Sequence, residues 1–176
     1  MSLPTRDECI QLLKKNGCSN GVVEHCINVT KMAMRIANVF KVKGYRVDLR
    51  LIESGALLHD IGRGQTHGIE HGVVGGQTAR RLGMPMELAH IIERHVGAGL
   101  TLEEARRNGL PKGNYVPETL EEKIVCYADK LVEGSHEVGI DSTIDNFAKD
   151  LGFDHPAIKR LQNLHREMSA VLSENG

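Results

Sequence analysis

Leu57-Leu58-His59-Asp60-Ile61-Gly62 places an imidazole and a carboxylate side by side at the end of an apolar helical run. A buried ionised carboxylate costs several kcal/mol unless it is paired or binds a metal. Asp60, between apolar neighbours, therefore needs a cation. The adjacent His59 indicates zinc, manganese, iron or nickel rather than calcium, because imidazole with carboxylate is a transition-metal ligand set. The same anomaly recurs along the chain. In a helix spanning about 20–41, Val22, Val29, Met32 and Ile36 flank His25 at helical spacing. In the helix that Asp48 opens and Gly62 closes, Ile52, Gly55 and Ala56 share a face with His59, and Asp60 lies a step round. Around 69–82, His71 shares a stripe with Val74, Gly75 and Thr78. Around 85–97, Leu88, Ile91 and Ile92 line up with His95. Asp129 lies one turn from both Val125 and Val132, in a helix of about 119–132. Five helices thus each carry a His or Asp onto the face that should pack inward.

Each of these residues has a plainer reading when taken alone. A lone His on an apolar face is usually a hydrogen-bonded core residue, and Asp129 could pair with Lys130 or Arg63. Mutual neutralisation without a metal would require several buried ionisable groups to pair with no central cation. Convergence on a metal cluster is therefore the preferred reading.

Working outward, the chain reads as helices with no convincing strands. Thr5-x-x-Glu8 is a capping box, and Gly17 ends the short helix it opens. Ser19 or Asn20 caps the second helix, and Thr119-x-x-Glu122 caps the helix carrying Asp129. Two more helices are expected at about 142–151, stopped by Gly152, and 155–173, capped by Asp154. A short helix at Thr101–Arg107 precedes the longest loop, Gly109 to Pro117, which is expected to form a flap or rim. The predicted fold class is all-α, a bundle of about seven to eight helices. It forms one domain over residues 1–176, with a core of about 20–135 and C-terminal helices of about 141–173.

Composition sets the remaining bounds. The chain has 176 residues, 40% hydrophobic and 26% charged, which suits one globular core. Net charge is −1, which leaves no electrostatic footprint for a nucleic-acid polymer. Cys9, Cys18, Cys26 and Cys126 show no C-x-x-C spacing, and nothing resembles a secretion signal, so free thiols and a cytoplasmic location are expected. No apolar run approaches the ~20 residues needed to span a bilayer.

His25, then His59-Asp60, then Asp129, in that order on successive helices, resembles the HD-domain superfamily of metal-dependent phosphohydrolases. The form His59-Asp60-Ile61-Gly62 resembles its HDIG subgroup. His71-Gly72-Val73-Val74-Gly75 and Glu93-Arg94-His95-Val96-Gly97 resemble the members that hold two metals. Thr119 through Val125, leading into Ala128-Asp129-Lys130-Leu131, resembles the closing helix. The likeness covers about residues 20–135, and the chain is similar to small stand-alone archaeal-type HDIG proteins. The resemblance implies a first metal held by His25, His59, Asp60 and Asp129. Asp60 would bridge to a second metal that also takes His71 and His95. It further implies hydrolysis of a phosphoester or phosphoanhydride in a small, nucleotide-like substrate by a metal-bound hydroxide, with Asp60 as the catalytic ligand. The cofactor would be two divalent ions among Mn, Fe, Ni, Co and Zn, with Mg disfavoured by the imidazoles. Two alternatives are a di-iron oxygenase on the same scaffold and a non-catalytic metal- or nucleotide-binding regulator. Partners are a small phosphorylated substrate and, in one option, a second copy of the chain.

The remaining residues divide more evenly. Arg63 and Lys130 are candidates for phosphate contacts, or else exposed salt-bridge partners. His67 could replace His71 as a ligand, although Gly68 weakens a helix there, and it is alternatively placed facing substrate. His90 is assigned to the solvent face, and His136, His155 and His165 receive no chemistry. Gly75-Gly76 in mid-helix reads either as close approach to the metals or as tight helix packing.

Overall fold

The computed structural model describes residues 2–173. Among these are nine α-helices: α1 (Arg6–Lys15), α2 (Asn20–Val42), α3 (Leu49–Leu58), α4 (His71–Arg81), α5 (Met86–Glu93), α6 (Leu102–Arg107), α7 (Leu120–Asp129), α8 (Ile140–Leu151) and α9 (Pro156–Leu172). A 3-10 turn, Ile61–Gly64, follows α3. The expectation of no strands fails in one place. Val132–Glu133 (β1) and His136–Glu137 (β2) pair as a small antiparallel hairpin. Gly134, at φ +58, makes its turn, a conformation that side-chain-bearing residues rarely adopt.

Local chemistry sets the starts of the helices. Thr5 with Glu8, Thr101 with Glu104, and Thr119 with Glu122 each form a reciprocal capping box, satisfying donors that a helix N-terminus leaves without partners. Ser19 and Asp48 cap α2 and α3. His155, rather than the expected Asp154, caps α9, its Nδ1 accepting from the Ala157 amide at 3.2 Å.

Helix α2 is the central post. Its Val29, Ala33, Ile36 and Phe40 enter one apolar cluster with Ile52 and Ala56 of α3, Ile124 and Val125 of α7, and Leu161 and Met168 of α9. A second cluster lies toward α1 and α5, built from Cys9, Leu13, Cys26, Leu57, Leu58, Leu88 and Ile92. Each fully buried Leu or Ile contributes about 1.5–3 kcal/mol relative to an exposed one. The C-terminal helices are therefore part of the principal core.

Three helices end earlier than the sequence suggests, each at the site, α7 stopping at Asp129 instead of about Val132. Helix α3 stops at Leu58 instead of Gly62, and α5 at Glu93 instead of Gly97. The turn after α3 packs directly against α4. A Cβ on Gly62 would lie 2.0 Å from the His71 carbonyl oxygen, so only glycine fits. Gly75 and Gly76 resolve as packing residues, since a Cβ on them would meet Ile92 at 2.7 Å and Glu93 at 2.8 Å. The Gly109–Pro117 segment is not a flap. Tyr115 is buried, and its backbone pairs with that of Leu100.

Candidate metal centre

Six side chains from five places in the fold meet at one point. His59 caps the C-terminus of α3 and Asp60 follows it. His71 opens α4, His95 lies two residues past α5, Asp129 ends α7, and His25 lies in α2. Their functional atoms are close. His25 Nε2 is 3.0 Å from Asp129 Oδ1, and His59 Nε2 is 3.5 Å from the same oxygen. The two carboxylate oxygens of Asp60 divide their neighbours. Oδ2 faces His25 at 4.0 Å and His59 at 3.7 Å. Oδ1 faces His71 at 3.2 Å and His95 at 3.3 Å. The Nε2 atoms of His71 and His95 are 3.0 Å apart.

The imidazoles are all held in the same manner. Nδ1 of His59 lies 2.8 Å from Ala56 O, that of His71 2.7 Å from Gly68 O, and that of His95 2.7 Å from Ile92 O. His25 Nδ1 is 3.2 Å from Gly134 O, at the hairpin turn. A carbonyl can only accept, so these contacts assign the ring proton to Nδ1 and leave the Nε2 lone pairs aimed inward. Backbone support of this kind is the usual companion of a metal-ligating histidine.

The centre also contains unsatisfied polar atoms. His59 Nε2 and Asp60 Oδ1 are fully buried and lack a hydrogen-bond partner among the described residues. Such groups cost about 1–3 kcal/mol each, more when charged, unless something binds them. The atoms of His25, His59 and Asp129 lie within 4.8 Å of one another, as do those of His59, Asp60 and His95, so each trio could hold an ion. His71 adds to the second trio through its contacts to Asp60 and His95. Imidazole nitrogens with shared carboxylates fit a divalent transition metal.

Electrostatics within the cluster is strongly polarised. Burial alone would raise the Asp60 carboxyl, but His59, His71 and His95 hold it far below the usual carboxylate range. Burial likewise opposes ionisation of Asp129, yet Lys130, His25 and His59 hold it well below normal. Burial disfavours the His59 cation, but Asp60 and Asp129 keep its pKa well above normal. His95 is pushed down to about 4, chiefly by burial and by the neighbouring imidazoles. Two acids are thus held ionised, balanced by Arg63, Lys130 and the basic His59, charges that a bound cation would replace or share.

The remaining sequence candidates separate clearly. Arg63 is about one-third exposed, with Nε 2.8 Å from Asp60 Oδ2. Lys130 is buried rather than exposed, and its Nζ donates to Asp129 Oδ2 at 2.5 Å and to the His95 carbonyl at 3.1 Å. His67 is exposed and stands outside the cluster, so His71 takes the place for which both competed. His90 is about one-third exposed, outside the cluster, with Nε2 3.9 Å from Glu93 Oε1. All three of Arg63, His67 and Lys130 line a cavity of about 670 Å³ that opens on His71, His95 and Asp129. That volume lies within the range of small-molecule sites. Its far walls come from α8 and the start of α9, including His155, to which sequence reasoning assigned no role. The Gly134 carbonyl behind His25 was equally hidden, because a two-residue hairpin carries no periodic signal.

A helical bundle enclosing a buried cluster of four histidines and two aspartates defines a class of helical proteins with a candidate dinuclear centre. The chain belongs to the HD domain family, whose model matches residues 22–134. It is 54% identical over 158 residues to an uncharacterized protein of Methanocaldococcus jannaschii, covering 90% of this chain and 94% of that one. It is 40% identical over 173 residues to the tRNA (cytidine(56)-2'-O)-methyltransferase of Thermoplasma volcanium, covering 98% of this chain. The match spans only 49% of that methyltransferase, about half its length. The fold resembles that of the phosphodiesterase PgpH HD domain of L. monocytogenes, solved in complex with cyclic-di-AMP. The TM-score is 0.58 at 17% identity, over 94% of this chain and 95% of that one. Among the described residues, no helix is long and apolar enough to cross a membrane.

Proposed function

We propose that the chain is a metal-dependent phosphohydrolase acting on a phosphoester or phosphoanhydride of a small, nucleotide-like substrate. The observation that carries this reading is the division of Asp60. One oxygen faces His25 and His59, and the other faces His71 and His95. That arrangement suits a carboxylate shared between two cations, the first also taking Asp129. When bound, such a pair supplies an activated water near neutral pH and neutralises charge on the phosphoryl oxygens.

The chain's own residues then have defined tasks. The four backbone carbonyls behind the Nδ1 atoms hold the imidazoles in one orientation, so that loading requires loss of the His59 Nε2 proton but no turning of the rings. Lys130 holds Asp129 ionised and pins it to the His95 segment. Arg63, paired with Asp60 and partly open to the cavity, is placed to meet a phosphate oxygen in addition to that carboxylate. The cluster lies on the buried floor of a cavity whose outer rim, at His67, Asp150 and Leu151, is exposed. PgpH, whose fold is similar, binds a small dinucleotide, and the cavity here has room for a ligand of nucleotide size. The domain 1–176 acts as one unit in this reading. The longer methyltransferase relatives match this chain over only about half of their own length.

Elemental analysis followed by a screen of phosphomonoesters, nucleotides and dinucleotides with the reconstituted metal tests the proposal. Release of phosphate or nucleotide that disappears in Asp60→Ala supports it. Oxygen consumption by an iron-loaded sample, with no hydrolysis, would establish the oxygenase instead. Metal and nucleotide binding without turnover of any substrate would establish the regulator.

A further inference from the structure

The family model ends at residue 134, yet the cavity continues onto α8 and α9. Phe147, Asp150 and Leu151 stand at i, i+3 and i+4 on α8, and so share one face, and all three line the cavity. The Phe147 ring is half-buried on the core, with Cε1 4.0 Å from where a Cβ on Gly97 would sit, two residues beyond His95. It is the one aromatic ring other than histidine on these walls. Asp150 is exposed and engaged in no ion pair or side-chain hydrogen bond among the described residues. Glu104, by contrast, is bound by Arg160 at 2.7 Å, and Asp129 by Lys130. His155 spends Nδ1 on the Ala157 amide, which places its proton on Nε2 and makes that nitrogen a donor.

We infer that α8 and the start of α9 form a nucleobase subsite, in which Phe147 stacks on the ring while Asp150 and His155 read an amidine edge. Asp150 offers an acceptor to an exocyclic amine, and His155 offers a donor to the adjacent ring nitrogen, the pattern of adenine or cytosine and the opposite of uracil. The cationic residues Arg63 and Lys130 lie on the walls nearest the His/Asp cluster, where a phosphate would sit. The inference rests on the hydrolase reading only for that phosphate end. Stacking of one base on one aromatic side chain is commonly worth a tenfold or greater change in affinity.

Two measurements on the full chain test this. The first is calorimetric binding of adenosine and uridine, which carry no phosphate. The second is the kcat and KM of the metal-loaded protein with ribose 5-phosphate, adenosine 5′-monophosphate and uridine 5′-monophosphate. Adenosine should bind about tenfold more tightly than uridine, and Phe147→Ala or Asp150→Ala should each weaken it by about tenfold. Both variants should raise KM for the adenine nucleotide and leave ribose 5-phosphate unchanged. Because Phe147 also packs on the core, Phe147→Leu and the surface variant Asp150→Ala keep the test open should Phe147→Ala unfold. Equal binding of the two nucleosides, or losses that fall equally on ribose 5-phosphate, would overturn the subsite. If base-dependent binding appears but no phosphoester is cleaved, the subsite stands and the hydrolase reading fails. If ribose 5-phosphate is cleaved and no nucleoside binds, the reverse holds.

Discussion

Gly62→Ala should damage the fold and the centre together, and its cost can be estimated from one contact. The added Cβ would lie 2.0 Å from the His71 carbonyl oxygen and 2.8 Å from the Gly75 nitrogen. An ordinary carbon–oxygen contact is ~3.3 Å or longer. Both neighbours are backbone atoms, so no side chain can rotate away. The start of α4 must therefore withdraw by about 1.3 Å. Overpacking of this kind costs about 1–3 kcal/mol, and rigid neighbours place the variant at the upper end. For a chain of this size each kcal/mol lowers Tm by about 2–4 °C, so the loss should be about 6–12 °C. The melt should be recorded in the presence of a chelator, so that only folding is measured. Gly139→Ala is the control, since nothing lies within 4 Å of its Cβ and its φ is −74°. The same displacement carries His71 away from Asp60, so the second cation should bind more weakly than the first. A Tm within about 2 °C of wild type, with full metal content, would show that the turn and α4 do not press together as described.

Other expectations follow from separate parts of the molecule. His95→Ala should remove about half the bound metal while circular dichroism stays native; unchanged stoichiometry by elemental analysis would argue for a single ion. Glu122 is buried, accepts from Arg94 at 3.0 Å and closes the α7 capping box, while Glu118 also holds the Arg94 guanidinium at 3.0 Å, so Glu122→Ala should cost about 1–3 kcal/mol in a urea melt. A cost under about 0.5 kcal/mol would mean that water replaces the pair. Burial pushes the thiols of Cys9 up to about 12 and of Cys18 and Cys126 up to about 11. These thiols should resist alkylation at pH 8 in the native protein and react after unfolding. Because the unfolded thiols ionise first, stability should fall as pH rises from ~8.5 toward 11. A flat alkaline melting profile would contradict that burial.

The cluster was legible because each of its residues disturbs a local pattern. An ionisable residue on an apolar stripe is visible in any one helix, and five such disturbances identified the six converging residues before any contact was known. What periodicity could not supply was where each helix stops. His59 and His95 read as members of continuous stripes, yet both stand just beyond a helix C-terminus, at positions where the carbonyl three residues back belongs to the last turn. Those carbonyls have no intrahelical donor, and the Nδ1–H of His59 meets Ala56 O while that of His95 meets Ile92 O. His71 makes the same i to i−3 contact with Gly68 O at a helix start. At His59 and His95 this device satisfies an orphan carbonyl and orients the ring, and there it requires the helix to end; at His71 the Gly68 carbonyl also accepts the His71 amide. The early stops of α3 and α5 are thus a condition of the site. By contrast, the Gly134 carbonyl behind His25 and the α8 wall of the cavity depend on contacts across 109 residues in the first case and on the docking of the C-terminal helices in the second. No window of sequence contains either, so only the assembled fold could place them. A substitution that extended α3 by one turn would leave the stripe intact and still remove the centre, because His59 would lose its acceptor and Asp60 would swing about 100° round the helix for each residue of register gained.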